Sequence, residues 1–402
     1  MNNLLRRPDA PLLNDTAMAL AAAAEAFPVP PRHRAALPAA VRELSRLLTL
    51  DRGDRGRSAY WSVPRLFAAY MHYFLPWNLY RLAWLLPGLD LLSPPPEREI
   101  HLLDLGSGPL TLPLALWCAR PDLRRRPVRL VCADVASRPL EVGRDALRRL
   151  AGPDSPWRVS PVRGPLEKAL AGGCFHAILA GNILNELRPF RGEDLEDRLE
   201  RMCAAMFRSL APDGRIFLVE PGTRLGGSLV ALVREVALKQ GLHPIAPCPH
   251  AGPCPLRAAP TSSRWCHFVS TVPDAPESLL ELSRRSRLEK DGLALSCLLL
   301  CRAAEQMAGD ASRGEETAGG PARKAGAAAG RTPSPAGAFV RILSHPIRLP
   351  ARPAPARYAC SAKGLALVLD ALSLPSGGAV RVLWPCPEER DGKTGALILR
   401  AW

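Results

Sequence analysis

His101-Leu102-Leu103-Asp104-Leu105-Gly106-Ser107-Gly108-Pro109 decides the fold of this chain. A short apolar run enters a turn that holds two glycines, and a helical pattern follows. Glycines there let the backbone turn tightly and come close to a ligand. Val128 to Ala133 reads as a second strand, ending at Asp134. A carboxylate at that strand end can accept both hydroxyls of a ribose. A dinucleotide fingerprint needs a third glycine three residues beyond the pair, and Thr111 holds that place.

The alternation continues. His176 to Ala180 is a third strand and Arg215 to Val219 a fourth, entered by the turn Pro212-Asp213-Gly214. A helix from Glu193 to Leu210 lies between them, with Leu195, Leu199, Met202 and Met206 on one face. Such alternation implies an α/β fold with a parallel sheet wound by helices. The glycine turn resembles motif I of the class I S-adenosylmethionine-dependent methyltransferases, a Rossmann-like fold. The resemblance implies that Asp104, Gly106, Ser107, Gly108 and Asp134 bind the methyl donor. Leu110 stands where that family carries a further glycine, and its side chain is expected to narrow the approach to the methionine part of the ligand.

Ala180-Gly181-Asn182-Ile183-Leu184-Asn185-Glu186-Leu187 follows the third strand, on the side where this fold presents the transferred methyl group. Asn182, Asn185 and Glu186 are therefore the candidate catalytic residues, holding an acceptor or taking its proton. The competing role for Asn182 is to cap a helix starting there. Glu220 either faces the site or simply ends the last core strand.

Six segments are expected. Residues 1–33 read as disordered or loosely helical. Residues 34–98 form a helical N-terminal subdomain: Leu37, Val41, Leu44 and Leu48 make one apolar stripe, Phe67, Tyr70, Met71 and Phe74 another, and Pro64 and Pro76 punctuate the helices. Residues 99–245 are the methyltransferase-like domain, and 246–302 a cysteine-rich loop with a final strand at Leu293 to Leu300. Residues 303–336 are an Ala/Gly/Arg/Ser-rich linker. Residues 337–402 are a small β-rich unit, with strand-like runs at Leu365 to Leu369, Ala379 to Leu383 and Ala396 to Leu399.

The chain of 402 residues carries a formal charge of +15 with 47% hydrophobic residues, enough for a packed core and for attraction to polyanions such as nucleic acid. Asp9, Asp15 and Glu25 suit neither a secretory signal nor an acid-poor transit peptide, so a cytoplasmic, bacterial location is expected. The apolar stretch Leu66 to Leu92 is interrupted by His72, Pro76, Asn78, Arg81 and Pro87, which argues for buried helices and no membrane contact.

Disulfides are not expected in that compartment, so clustered cysteines read as metal ligands. Cys248, Cys254 and Cys266 lie in a Pro-rich loop with the spacing C-x5-C-x11-C. A single zinc favours C-x2-C pairs, and wider spacing suits an iron–sulfur core. A fourth ligand comes from elsewhere: Cys360, or alternatively Cys386 between two prolines. Cys297 and Cys301 read as core, and Cys118, Cys132, Cys174 and Cys203 as buried small hydrophobes.

Four stretches together resemble one family. They are Leu103 to Pro109, Asn182 to Leu187, Leu218-Val219-Glu220-Pro221-Gly222-Thr223, and Pro247-Cys248-Pro249-His250 with Cys254-Pro255-Leu256 and Trp265-Cys266-His267-Phe268. The family is the methyltransferase-like family of the mitochondrial small ribosomal subunit, that of methyltransferase-like protein seventeen, with its bacterial relatives. It implies a [4Fe–4S] cluster on Cys248, Cys254, Cys266 and Cys360, and a monomeric factor that binds S-adenosylmethionine and small-subunit rRNA during ribosome assembly and translation. Two alternatives stand beside it. One is an active rRNA methyltransferase with a structural cluster; the other is a zinc-stabilised RNA-binding module without catalysis.

Overall fold

The computed structural model describes residues 3–49, 58–92, 99–171, 173–187, 194–257, 264–272, 275–302, 338–343, 345–349 and 355–400. The expected linker at 303–336 and the start of the helix expected from Glu193 lie outside them.

The N-terminal segment is more ordered than its sequence suggests. Helix α1 (Ala10–Ala26) opens with the Asp9 side chain accepting from the Leu12 amide at 2.9 Å. That cap satisfies one of the free donors of a helix start. Leu12, Thr16, Ala19 and Ala23 are buried, where α1 lies on two helices of the sheet domain. Alanines hide this contact from a hydropathy pattern: they add little apolar signal, yet they let backbones approach without losing side-chain entropy. Asp15 also pairs with Arg124, beyond the first strand.

Helices α2 (Pro31–Arg34), α3 (Leu37–Thr49) and α4 (Pro64–Ala69) follow. A π-helical turn, Tyr70–Phe74, joins α4 directly to α5 (Leu75–Leu85). Pro76 therefore does not end the helix as expected. It lacks an amide donor, and a wider turn beside it lets the helix run on.

The main sheet has strands β1 (Ile100–Leu105), β2 (Val128–Asp134), β3 (Trp157–Arg163), β4 (Phe175–Gly181), β5 (Leu210–Pro221), β6 (Leu242–Ala246), β7 (Phe268–Ser270) and β8 (Leu293–Arg302). Their order is β3-β2-β1-β4-β5-β8-β6, with β7 paired to β8. Strands β1 to β5 pair in parallel, and β8 runs antiparallel between β5 and β6. This order, with its single reversed strand next to the edge, is that of the class I methyltransferase fold. Helices α6 (Thr111–Ala119), α7 (Ser137–Ala151), α8 (Leu166–Leu170), α9 (Leu195–Arg208), α10 (Arg224–Lys239) and α11 (Glu277–Ser286) accompany the sheet. The order reverses between β1 and β4, so a crevice opens at their carboxyl ends.

A second sheet, β12-β9-β10-β11-β13, is built from β9 (Ala338–Ile342), β10 (Arg357–Ser361), β11 (Gly364–Leu369), β12 (Ala379–Val382) and β13 (Leu397–Arg400). It has its own core, including Val340, Ile342, Val368 and Leu399. Buried Arg341 fastens it to the first domain, donating from Nε to the Pro247 carbonyl at 2.9 Å, while its Nη1 donates within the second unit to the Gly377 carbonyl at 2.7 Å. Among the described residues no helix is long and apolar enough to cross a membrane.

Candidate functional site

The turn after β1 is built around glycine. Gly106 takes φ +64, and a Cβ there would fall 2.7 Å from Cδ1 of Ile183 on the neighbouring loop. The next strand end locks the turn. Asp134 accepts from the Gly108 amide through Oδ2 and from the Ala136 amide through Oδ1, both at 2.9 Å. Burial raises the Asp134 pKa, and those two amides pull it back.

Leu110 also lies in the left-handed region, at φ 58 and ψ 39. That conformation explains why a glycine suits this position. Its side chain does not narrow the ligand approach as expected. It is fully buried in the main core with Leu112 and Leu114.

Two spaces that share Tyr70, Asn78, Arg81, Gly106 and Asn182 in their linings lie at the carboxyl ends of β1 and β4. The smaller, a cavity of about 30 Å³, is lined by Asp104, Gly106, Ser107 and Asn182 from the sheet domain, and by Tyr70, Asn78 and Arg81 from the helical subdomain. The larger, about 810 Å³, reaches Gly108, Asp134, Asn185, Glu186 and Lys290, with Tyr60, Trp61 and Trp77 also in its lining. The structure thus brings Asp104, Gly106, Ser107, Gly108, Asp134, Asn182, Asn185 and Glu186 to one cleft.

The acceptor-side loop is held from below. Asn182 takes φ 56 and donates its amide to the Val219 carbonyl at 2.8 Å. It precedes a 3-10 turn, Leu184–Glu186, which has no side-chain cap, so it is not the helix cap considered from sequence. Glu220 Oε1 accepts from the Leu184 amide at 2.8 Å. Glu220 is 1% exposed, and burial pushes its carboxyl up to about 8. Its role is to position the loop that carries Asn185 and Glu186.

Arg81 and Lys290 had no role in the sequence reading. Arg81 was visible only as an interruption of an apolar helix. A cation on such a face signals a cavity lining as readily as it denies a membrane span.

The cysteine loop packs against β8, where Ser296 Oγ donates to the Cys266 carbonyl at 2.6 Å. Trp265 anchors it, donating from Nε1 to the Gly222 carbonyl at 2.9 Å. A Cβ at Gly227 of α10 would fall 2.7 Å from the Cys266 carbonyl oxygen, so glycine lets the helix carry the loop. Arg234 of α10 donates to Cys248 Sγ at 3.2 Å and to the carbonyls of His250 and Gly252 at 2.8 Å. His250 Nε2 lies 3.3 Å from Cys360 Sγ of β10.

Burial raises the thiols of Cys248, Cys266 and Cys360. Cys248 and Cys254 raise Cys266 and Cys360 further, while Arg234 opposes the rise at Cys248 and Cys360. These four cysteines therefore share one buried compartment. Cys297 of β8 also reaches it, feeling Cys248 and Arg341, a neighbour its apolar sequence context did not reveal. Cys386 is exposed, as is Cys174, which had been expected in the core. Among the described residues no three His, Cys, Asp or Glu side chains stand close enough to share one metal ion.

Comparison with known proteins follows this geometry. Residues 95–290 match the family model described as mitochondrial small ribosomal subunit Rsm22. Over that span the chain is similar to the Rsm22 family. The Rsm22-cox11 tandem proteins 1 and 2, mitochondrial, of Schizosaccharomyces pombe are 26% identical over 239 residues. The match takes in 56% of this chain but only 30% of each relative, so it spans less than a third of their length.

Among solved structures, the chain is similar to a TehB-like SAM-dependent methyltransferase from Corynebacterium glutamicum. That match has 14% identity over 61% of this chain and 100% of the other, with a TM-score of 0.33. A methyltransferase from Pyrococcus furiosus matches with 15% identity over 50% of this chain and 75% of the other, with a TM-score of 0.31. The Rsm22-family span contains the glycine turn, the acceptor-side loop and three of the compartment's cysteines. Arg81 and Cys360 lie outside it.

Proposed function

We propose that this chain is a small-ribosomal-subunit factor that binds S-adenosylmethionine in the cleft above β1 and β4, carries an iron–sulfur cluster and contacts rRNA. The observation that carries the reading is the convergence of the glycine turn, Asp134 and Asn182 at the switch point of the sheet. In open α/β sheets ligands bind there. The match to the small-ribosomal-subunit family model supports the ribosomal role, and the formal charge of +15 supports contact with RNA.

Bound there, S-adenosylmethionine supplies an electrophilic methyl carbon. Gly106 and Gly108 let the donor lie against the backbone, and Asp134 stands where ribose hydroxyls would need an acceptor. Asn185 and Glu186 sit at the rim, where an acceptor would be oriented and its proton taken. The size of the larger space favours a bulky acceptor and keeps the rRNA methyltransferase reading open beside the binding role.

The buried thiols are a soft donor set that suits an iron–sulfur core. Cys248, Cys254 and Cys266 would hold it from the loop and Cys360 from β10, with Arg234 and Arg341 offsetting the thiolate charge.

Calorimetric titration with S-adenosylmethionine tests the donor site, and no heat at saturating donor sinks it. Tritium transfer from the methyl group to a small-subunit rRNA fragment separates turnover from binding. That fragment should also outcompete an unrelated structured RNA of equal length at near-physiological salt. Equal competition leaves only unspecific charge attraction.

A further inference from the structure

At the amino ends of its strands, away from the cleft, the main sheet carries a row of nitrogen donors at one level. Arg129 of β2 is the register partner of Arg158 of β3 on one side and of His101 of β1 on the other. His176 of β4 stands beside His101. It accepts the His101 amide through Nδ1 at 3.0 Å, and the two rings meet edge to face at 5.7 Å. Side chains alternate along a strand, so these four share the face on which Leu103, Ala133 and Ile178 are buried farther along. At the amino end that face is open: Arg129 and Arg158 are exposed, and the two histidines are half-buried. Arg125, in the turn that enters β2, is exposed at the same end.

Like charges directly opposite on neighbouring strands destabilise a sheet. Among the described residues no carboxylate pairs with Arg129 or Arg158, and the acid at the row is Glu99, 3.1 Å from His101 Nε2. A charge on an edge strand blocks pairing with other chains, which accounts for Arg158. It does not account for Arg129, one strand further in. His176 accepts through Nδ1, so its neutral ring carries the proton on Nε2 and adds a donor.

We propose that Arg129 and Arg158, flanked by Arg125 and His176, form a docking surface for the phosphate backbone of RNA. The proposal rests on the RNA-contact reading above and names the surface that makes the contact. Neighbouring strands lie about 4.8 Å apart, so the two guanidinium groups can close on one phosphate or spread over two. Their planar forks pair phosphate oxygens bidentately. Contacts of this kind fix the orientation of a nucleic acid and do not read its sequence. The surface thus orients an RNA from the end of the sheet opposite the cleft.

The test titrates the full chain with a small-subunit rRNA fragment over a range of salt. Arg129→Gln with Arg158→Gln should bind roughly 10-fold more weakly. Its salt slope should flatten by about 2, one for each lost phosphate contact. Each single variant should flatten it by about 1, which keeps the test open if the pair folds poorly. Arg144→Gln with Arg208→Gln removes the same charge from exposed positions on α7 and α9, and should leave affinity nearly unchanged. Equal losses in the two pairs would leave only attraction by net charge and overturn the surface. Wild-type affinity and slope in the first pair would overturn it too, leave RNA contact standing, and turn the row toward an acidic protein. A wild type that binds no RNA overturns the RNA reading and the surface together.

Discussion

The Gly108 amide donates to Oδ2 of Asp134 at 2.9 Å, tying the turn after β1 to the end of β2. The carboxylate expected to receive a ribose is thus also the fastener of the glycine turn. Each carboxylate oxygen has a second lone pair, so the two duties are compatible.

Asp134→Ala removes acceptors from the Gly108 and Ala136 amides as well as from the ligand. Hydrogen bonds to a charged group contribute about 1.5–3 kcal/mol each. The variant should melt several degrees lower and bind S-adenosylmethionine at least roughly 30-fold more weakly. Asp134→Asn keeps one acceptor and should fall between. A variant that binds the donor as tightly as wild type would place the ribose elsewhere.

Leu110→Gly separates backbone strain from packing. Glycine relieves a left-handed conformation worth about 1–2 kcal/mol. It also empties a fully buried leucine site, at a cost of about 3–5 kcal/mol. The net should be destabilisation by a few kcal/mol in denaturant melts, with donor affinity unchanged within about twofold, because the side chain lies in the core. A stabilised variant, or one with much tighter donor binding, would show that Leu110 crowds the ligand after all.

Asp104 and Glu220 set a pH dependence of stability. Burial raises both carboxyls to about 8 in the native state. Unfolded carboxyls titrate near pH 4. Between about 4 and 8 the native protein therefore holds protons that the unfolded chain has released, so stability falls as pH rises through that window. The melting temperature without ligand should drop from pH 6 to pH 8.5. The double variant Asp104→Asn, Glu220→Gln should flatten that drop, and an equal slope in the variant would refute the assignment.

What was legible in the sequence followed from strong local signals. Leu102 and Leu103 before a glycine turn, and Val128 to Ala133 before Asp134, mark strands whose faces are both buried. Strand β3 went unseen because it is an edge: Trp157-Arg158-Val159-Ser160-Pro161-Val162-Arg163 is mostly exposed or half-buried, mixes charged with apolar residues and contains a proline that only an edge strand tolerates. Helix α1 was read only as disordered or loosely helical because alanines carry its contact. The glycine turn and acceptor loop of the site were legible, since one sequence stretch forms each. Its far wall was not. Arg81 of α5 lines the same space as Asp104 of β1, and no spacing along the chain encodes that juxtaposition. Cys297 joined the cysteine compartment for the same reason.

The cysteine compartment gives the last test. Cys248, Cys254 and Cys266 come from one loop and Cys360 from the second sheet, so a cluster on these four would tether two units that otherwise meet through groups such as Arg341 and Pro247. Losing a structural metal site commonly costs several kcal/mol or more. Wild type purified without oxygen should contain iron and acid-labile sulfide and absorb in the visible range. Cys254→Ser and Cys360→Ser should each lose most of that iron and melt well below wild type. Cys386→Ser, at an exposed position, should keep both properties and serves as the control for thiol loss in general. Cys297→Ser distinguishes ligand from neighbour: full iron content there fits a core residue beside the cluster. Zinc in place of iron in wild type would favour the mononuclear alternative. Full iron and unchanged melting in Cys254→Ser would remove that residue from the ligand set.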